Sequence, residues 1–542
     1  MHRLLQKKFY GKAADIALLI LFSVIAGVFS GVLVTLYTVC TGYGEKCSVA
    51  WYKALIDLPY LIPLLFVALC CAAIMIGTVL RFIPMAKGSG VPQAEGAVRG
   101  AFRLKWFRLM CTSFALSLSA VFLGMSAGSE GPSIMIGACA GSGTGELARK
   151  NSRFSRCLIG GAASAGLAVA FNAPLTGVLF AVEEAHKKFT PEVIISALFS
   201  VLSGVAVRNG ILTLLSLADP SFAVSSAFSA YDLTGANTFA DTMAVTGIAL
   251  LASVIIALIG VGFYYAIMGM RKVFARITFL HGAGRMIIPF AAAGAFGLLS
   301  FQEMGGGHSL IEALGTNGGA ESMSVSLNFA SPLIVALVVV FLLKAAASVL
   351  NMGAGVPCGV FIPMLAVGAC AAGIFSQLAL SVGMPTAYSD IIVMVGTAAF
   401  FSAVVKAPFT ATVMVFELTG SYNFNLLFPV ALASAVGYTI GRLMRTGAVY
   451  DVLLESYTEQ FAEKGPRRTF VVPVEDKGFA VGRNIRDLLL PTGMAAVGVK
   501  RADEDLIPDD DLDLAAGDEI SISAVSADDE AKREELYAIV NC

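Results

Sequence analysis

Apolar stretches separated by short polar or glycine-rich intervals fill most of the chain, and only its last part alternates with a period of two. Ile16–Cys40, Leu58–Leu80, Ala244–Met268, Ser331–Leu343 with its continuation, and Thr410–Gly437 are the clearest apolar stretches. A helix of about 20 such residues crosses a bilayer. Roughly ten or more membrane-embedded segments are predicted, several too short or too rich in glycine to cross fully. A hydrophilic loop is expected near Thr41–Ser48, after the first span.

Composition agrees. Of 542 residues, 57% are hydrophobic and 14% charged, where soluble domains carry about 25% charged residues. The predicted class is an all-α polytopic protein of the lipid bilayer. The formal net charge of −1 argues against nucleic acid as a partner. Basic clusters at Arg99–Arg108, Arg149–Arg156 and His186–Lys188 mark the cytoplasmic side by the positive-inside rule. The basic start (Arg3, Lys7, Lys8, Lys12) before a 25-residue apolar run reads as a cytoplasmic N-terminus and a retained span. Most of the ten cysteines sit in apolar runs as small hydrophobes, at no metal-ligand spacing. Only Cys40 and Cys47, flanking the expected loop, are candidates for a disulfide. No cofactor and no enzymatic constellation is expected, since no metal cluster and no serine–histidine arrangement stands out.

Three glycine-framed, proline-marked helix starts carry the candidate chemistry: Gly88-Ser89-Gly90-Val91-Pro92, Gly128-Ser129-Glu130-Gly131-Pro132 and Gly359-Val360-Phe361-Ile362-Pro363. Glycine permits close approach to the backbone, proline suits the first helical turn, and the free amides of such a start bind anions. Glu130 at such a start would be an anion competing with the ligand. Two of these patterns recur. Pro132-Ser-Ile-Met-Ile-Gly-Ala-Cys-Ala and Pro363-Met-Leu-Ala-Val-Gly-Ala-Cys-Ala are 231 residues apart; Ala173-Pro-Leu-Thr leading to Glu183 and Ala407-Pro-Phe-Thr leading to Glu417 are 234 apart. Two matches at nearly one offset predict duplicated membrane halves, which in transporters hold substrate at the repeat interface.

Beyond about Tyr457 the apolar runs end. Phe470–Val474, Ala495–Val499 and Glu519–Ser523 read as strands and Asp528–Val540 as a helix, predicting a small soluble α+β domain. Acidic Asp503–Asp513 reads as a solvated loop.

Taken together, Gly88–Pro92, Gly128–Pro132, Gly359–Pro363 and Tyr450 resemble, in type and order, the four anion-site motifs of the CLC chloride channel/transporter family; Phe171–Pro174 and Gly305–Gly307 add to the likeness. The resemblance implies an inverted-repeat fold with broken helices in a membrane domain 1–456, with halves at about 58–210 and 290–440, and a homodimer with one pathway per protomer. It implies Ser89 and Tyr450 as hydroxyl donors and Val360 and Phe361 as amide donors to the anion. Glu130 becomes the external gate and proton acceptor, and Glu184 the internal proton-transfer acid. Serine at 89 goes with chloride in that family, and the fluoride-selective branch departs from these motifs. Ser129 is a departure, because arginine or lysine often precedes the gate. After a linker at 457–468, residues 469–542 resemble the C-terminal subdomain of RCK/TrkA proteins, which implies a cytoplasmic regulatory domain for an unidentified small ligand.

The function expected is exchange of chloride for protons; the alternative is a passive, glutamate-gated chloride channel sensitive to voltage or pH. For Glu130 the competing reading is a capping carboxylate, for Glu184 an acid paired with Lys187 or Lys188, for Ser89 an N-cap and for Tyr450 an interfacial tyrosine. Lys344 and Lys406 read as anion attractors or snorkelling cations, and His308 as a loop residue.

Overall fold

The computed structural model describes residues 2–217, 219, 231–233, 235, 238–277, 282–315, 327–328, 331–420, 424–502 and 504–542, leaving aside the side chains of 2–13 and 239–240. The side chains of the basic start at Arg3, Lys7, Lys8 and Lys12, and the acidic Asp503, therefore lie outside what is described. Among the described residues eight helices are long and apolar enough to cross a membrane, from Ala14–Asp57 to Thr386–Val405; Trp106–Phe122, Ala283–Leu299 and Leu427–Leu443 are apolar but shorter. Leu36, Leu64, Val67, Leu202 and Leu251 are each more than half exposed. Such a surface suits lipid, where apolar exposure carries no hydration penalty.

Two expectations fail in the spans. The first helix runs unbroken from His2 to Asp57, through the expected loop at Thr41–Ser48. A Cβ on Gly44 would stand 2.8 Å from the Phe122 ring, so close packing on a neighbouring helix carries this weakly helical stretch. Cys40 and Cys47 are consequently about 10 Å apart along one axis, beyond disulfide reach, and both thiols are free. The stretch Thr410–Gly437 is two helices, Pro408–Thr419 and Leu427–Leu443. Gly420 ends the first in the left-handed conformation (φ 61°); residues 421–423 lie outside the description.

Behind the lipid-facing helices, Glu130–Ala148, Ser152–Phe171, Phe361–Ser381 and Ser389–Val405 are buried almost throughout. A Cβ at Gly137 would stand 2.2 Å from the Ala162 carbonyl, and one at Gly166 2.3 Å from that of Ser133. Glycine lets these two helices meet backbone to backbone.

The internal repeat is realised as a reciprocal exchange. Glu183 accepts from Phe409 N, Thr410 N and Thr410 Oγ1 at 3.1, 2.7 and 2.6 Å. Glu417 accepts from Leu175 N, Thr176 N and Thr176 Oγ1 at 2.8, 2.7 and 2.6 Å. Glu183 stands just beyond the end of one short helix and Glu417 in the last turn of the other, and each caps the N-terminus of the opposite helix, as anions favour. Helices Pro174–Phe180 and Pro408–Thr419 therefore run antiparallel about a local twofold, the relation an inverted repeat requires.

At the C-terminal end, strands β1 (Arg467–Pro473), β2 (Ala495–Arg501), β3 (Glu504–Leu506) and β4 (Glu519–Val525) form an antiparallel sheet in the order β1-β4-β2-β3. Leu536, Ile539 and Val540 of the last helix pack on Phe470, Val472, Ile520 and Ile522 as a separate core. The expected acidic loop thus contains β3, paired to the end of β2. Before the sheet, helix Val449–Phe461 reaches into the stretch read as linker. The sheet domain sits on the membrane helices. Thr492 N and Oγ1 donate to the Arg99 carbonyl at 2.7 and 3.2 Å, Arg156 donates to the Leu489 carbonyl, and Arg483 pairs with Glu192.

Candidate functional site

The three glycine-framed helix starts meet. Gly128 N donates to the Gly359 carbonyl at 2.7 Å and Gly359 N to that of Gly128 at 3.0 Å, tying two motifs in an antiparallel bridge. A Cβ on Gly131 would lie 2.4 Å from the Ser89 carbonyl oxygen and 3.1 Å from Gly359 Cα, so the third motif closes on the same point. Helices Val91–Val98, Glu130–Ala148 and Phe361–Ser381 all begin without a side-chain cap. Their first-turn amides are left unclaimed by side chains, and each start carries about half a positive charge. Tyr450 opens helix Val449–Phe461, which packs on helix Val91–Val98. Among the described residues, Ser89 Oγ and Tyr450 Oη are buried with no hydrogen-bond partner. Neither competing reading holds: Ser89 makes no cap bond, and Tyr450 is fully buried rather than interfacial. Phe361 packs between Phe171 and Phe401, its ring tilted against both at centroid distances of 5.4 and 4.6 Å.

A cavity of about 440 Å³ opens beside this point, lined by Ser89 and Val360 and by four cationic side chains, Arg81, Lys87, Arg271 and Arg285. Among the described residues no carboxylate lines it. Such a vestibule concentrates anions.

Glu130 is fully buried. Its Oε1 accepts from Ser129 Oγ at 3.0 Å and lies 3.5 Å from His308 Nε2, while Oε2 is unpartnered among the described residues. It does not cap its helix. Gly128 makes room for it: a Cβ there would be 2.2 Å from Oε2. Glu184 lies in a single π-turn, Ala181–Ala185, that ends the short helix from Pro174. Such turns redirect side chains at a cost in regular bonding. It is 2% exposed, and its Oε1 is unpartnered among the described residues. The competing reading, a pairing to lysine, is not made among the described residues: Lys187 bonds Asp451 instead.

Around Glu184 the structure assembles a cluster that sequence reading missed. Arg99 donates to the carbonyls of Glu184 (2.7 Å) and Ala185 (2.9 Å) and pairs with Asp451 (2.8 Å) and buried Glu95 (3.3 Å). Glu95 was discoverable as an ionisable residue within an apolar motif helix; Asp451 and Arg99 were not, being 352 residues apart. The two cations left open also resolve. Lys344 is buried and donates to the carbonyls of Glu303 (2.8 Å) and Gly305 (3.1 Å), so it pins a loop and is not an anion attractor. Lys406 turns back onto its own helix end, donating to Ala403 O at 2.9 Å. His308, read as a loop residue, opens helix His308–Ala313 and reaches Glu130.

A family model described as voltage gated chloride channel matches residues 71–442. The chain belongs to the voltage gated chloride channel family. To this family member, the H(+)/Cl(-) exchange transporter ClcA of Vibrio cholerae serotype O1 is 29% identical over 442 residues, covering 80% of this chain and 88% of that protein. ClcA of Cronobacter sakazakii is 28% identical over 473 residues, covering 82% and 91%. Among solved structures, a slow cyanobacterial Cl-/H+ antiporter superposes with a TM-score of 0.70 at 21% identity, covering 82% of this chain and 98% of that one. A CLC-type fluoride/proton antiporter superposes with a TM-score of 0.60 at 20% identity, covering 78% and 95%. These two likenesses speak for the fold, that of a broken-helix membrane protein of the chloride channel family.

Proposed function

We propose that the chain exchanges chloride for protons across a membrane, with one anion pathway in each protomer of a homodimer. The observation that carries this reading is that Glu130, beside the meeting helix starts, and Glu184, beside the Arg99 cluster, are buried carboxylates that each keep an oxygen without a partner among the described residues. A full cation at the centre would hold chloride too tightly for turnover. Helix starts supply about half a charge each, and hydroxyls and amides complete the shell. Ser89, Tyr450 and the amides of Val360 and Phe361 donate to the anion. Deprotonated Glu130 competes for that place; protonated, it leaves the place to chloride and carries a proton inward toward Glu184. A passive channel needs no second buried acid, and the exchange named for the Vibrio and Cronobacter relatives favours the coupled reading.

Arg103, Arg149, Lys150 and Arg156 border a cavity shared with the sheet domain, which supports a cytoplasmic sheet domain and cytoplasmic termini. Residues 469–542 then act as a regulatory domain of the RCK C-terminal type for a small ligand, joined by the linker to the membrane domain 1–456. In proteoliposomes, a chloride gradient is expected to drive protons uphill through the wild-type protein. Glu184→Ala is expected to abolish the proton component while chloride still passes. Wild-type protein that moves no protons under a chloride gradient makes the passive channel the right reading.

A further inference from the structure

Glu130 is fully buried, yet exchange requires it to take up a proton from outside at every turnover. Ser129 Oγ touches it but does not titrate near neutral pH. His308 does. Its Nε2 stands 3.5 Å from Glu130 Oε1, and its side chain is 41% exposed where that of Glu130 is 0% exposed. One imidazole thus spans from the solvent-accessible edge to the buried carboxyl.

The preceding loop is built to hold it there. Gly305 and Gly307 adopt φ of 65° and 100°, a region side chains rarely occupy. A Cβ on Gly307 would lie 2.8 Å from Ala366 Cβ, and one on Gly305 2.2 Å from the Glu45 carboxyl carbon. Lys344 clamps the loop through the carbonyls of Glu303 and Gly305. The charged groups around His308 are Glu130, Glu45, Lys344 and Glu303; helix Phe361–Ser381, packed against its helix, contains no charged residue. The loop lies on the face opposite the sheet domain. Asp15, at the other end of the first helix, borders a cavity with Lys477 and Arg483. Glu45 is 30 residues further on, about 45 Å at 1.5 Å per residue, against a hydrocarbon core of about 30 Å.

We infer that His308 is the outer proton relay to Glu130, an inference that rests on the exchange reading above. The imidazolium gives its Nε2 proton to Glu130 Oε1: the N–H bond breaks with its electron pair returning to nitrogen, and an O–H bond forms on the carboxylate. The pair becomes neutral imidazole and carboxylic acid. Hydronium from the outer solution then re-protonates the imidazole and leaves water. With serine at 129, the titrating cation beside the gate comes from across the repeat interface.

The test is chloride-driven proton movement through the full chain in oriented vesicles, with the outer pH set above or below about 6.5, the ordinary imidazole value. Above it, His308→Ala and His308→Gln are both expected to exchange roughly tenfold or more slower than wild type. Well below it, hydronium protonates Glu130 directly and the variants approach the wild-type rate. Imidazole added on the outer face is expected to restore His308→Ala, and imidazole inside is not. Gln keeps a polar contact without a titrating proton, so a Gln variant at the wild-type rate overturns the relay. So does a slowed Ala variant that outer imidazole leaves slow, which makes the residue a structural prop. If wild-type protein moves no protons, the exchange reading itself fails; if it does and both variants match it, only the relay fails.

Discussion

Glu183 and Glu417 each accept three hydrogen bonds from the opposite half of the molecule, whereas Glu130 and Glu184 are more deeply buried and each keep an oxygen without a partner among the described residues. Glu183 and Glu184 are neighbours in the chain, and a single π-turn sends them to opposite fates. A half-buried carboxylate with its oxygens satisfied is a fastener, bonded to the amides it caps. One with an orphan oxygen is costly in either protonation state. At Glu130 and Glu184 the proposed exchange uses both states in turn; Glu95 and Glu303 also keep unpartnered oxygens among the described residues, so the orphan oxygen alone does not assign that role. Position in an apolar sequence does not separate the two kinds; hydrogen bonding does.

The sharpest way to break this contrast is Glu130→Gln. It preserves shape and polarity and removes the titrating proton, so coupled proton movement is expected to fall by roughly 100-fold or more while chloride flux continues, indifferent to outer pH. Liposome flux assays with paired chloride and pH electrodes read both quantities. Proton movement at the wild-type ratio in this variant would mean that the orphan oxygen marks nothing functional.

Glu183→Gln and Glu417→Gln should behave the other way. Each leaves a pair of helix-start amides and a threonine hydroxyl facing a poorer acceptor, a loss of about 1–3 kcal/mol. The expected readout is a lower melting temperature of the purified protein, with the proton-to-chloride ratio unchanged. The local twofold adds a finer demand: the two variants should melt alike. A large difference between them would mean that the two halves carry unequal load despite matching geometry.

What could be read beforehand follows the same division. The duplicated strings around Pro132 and Pro363, and around Pro174 and Pro408, are local, and so were the halves they mark. The reciprocal caps were not legible, since Glu183 finds Thr410 only after two segments 227 residues apart meet. Ser89 and Glu130 carry their meaning in the glycines and prolines beside them. His308 has only a glycine run before it, which signals a turn and says nothing of a partner 178 residues earlier. The misread loop at Thr41–Ser48 has the same origin, because its polar residues suggest solvent while Phe122, packed against Gly44, keeps the helix going. Pattern reports the local backbone; pairing across the repeat interface is decided by packing.

The smallest expected effect carries the rule outside the membrane. Asp518 in the sheet domain is fully buried and fully satisfied, bonded by Arg501 Nε and Nη2 at 2.8 Å and by Ala515 N at 2.8 Å. The hydrogen bonds from the Arg501 guanidinium hold its carboxyl below the usual range. The folded value therefore lies below the unfolded one of about 3.9. Its contribution is fully present above that unfolded value and is lost as pH falls through the lowered folded value, with no change near neutrality. Amide exchange in β2 and β4 of the full-length protein is the measurement. Asp518→Asn should cost about 1 kcal/mol of local protection at neutral pH and flatten the acid dependence. The cost stays small because Arg501 is itself nearly half exposed and water replaces part of what the pair supplies. An Asn variant with wild-type protection would mean that satisfied carboxylates in this chain are not fasteners, and the contrast with Glu130 would lose its reference.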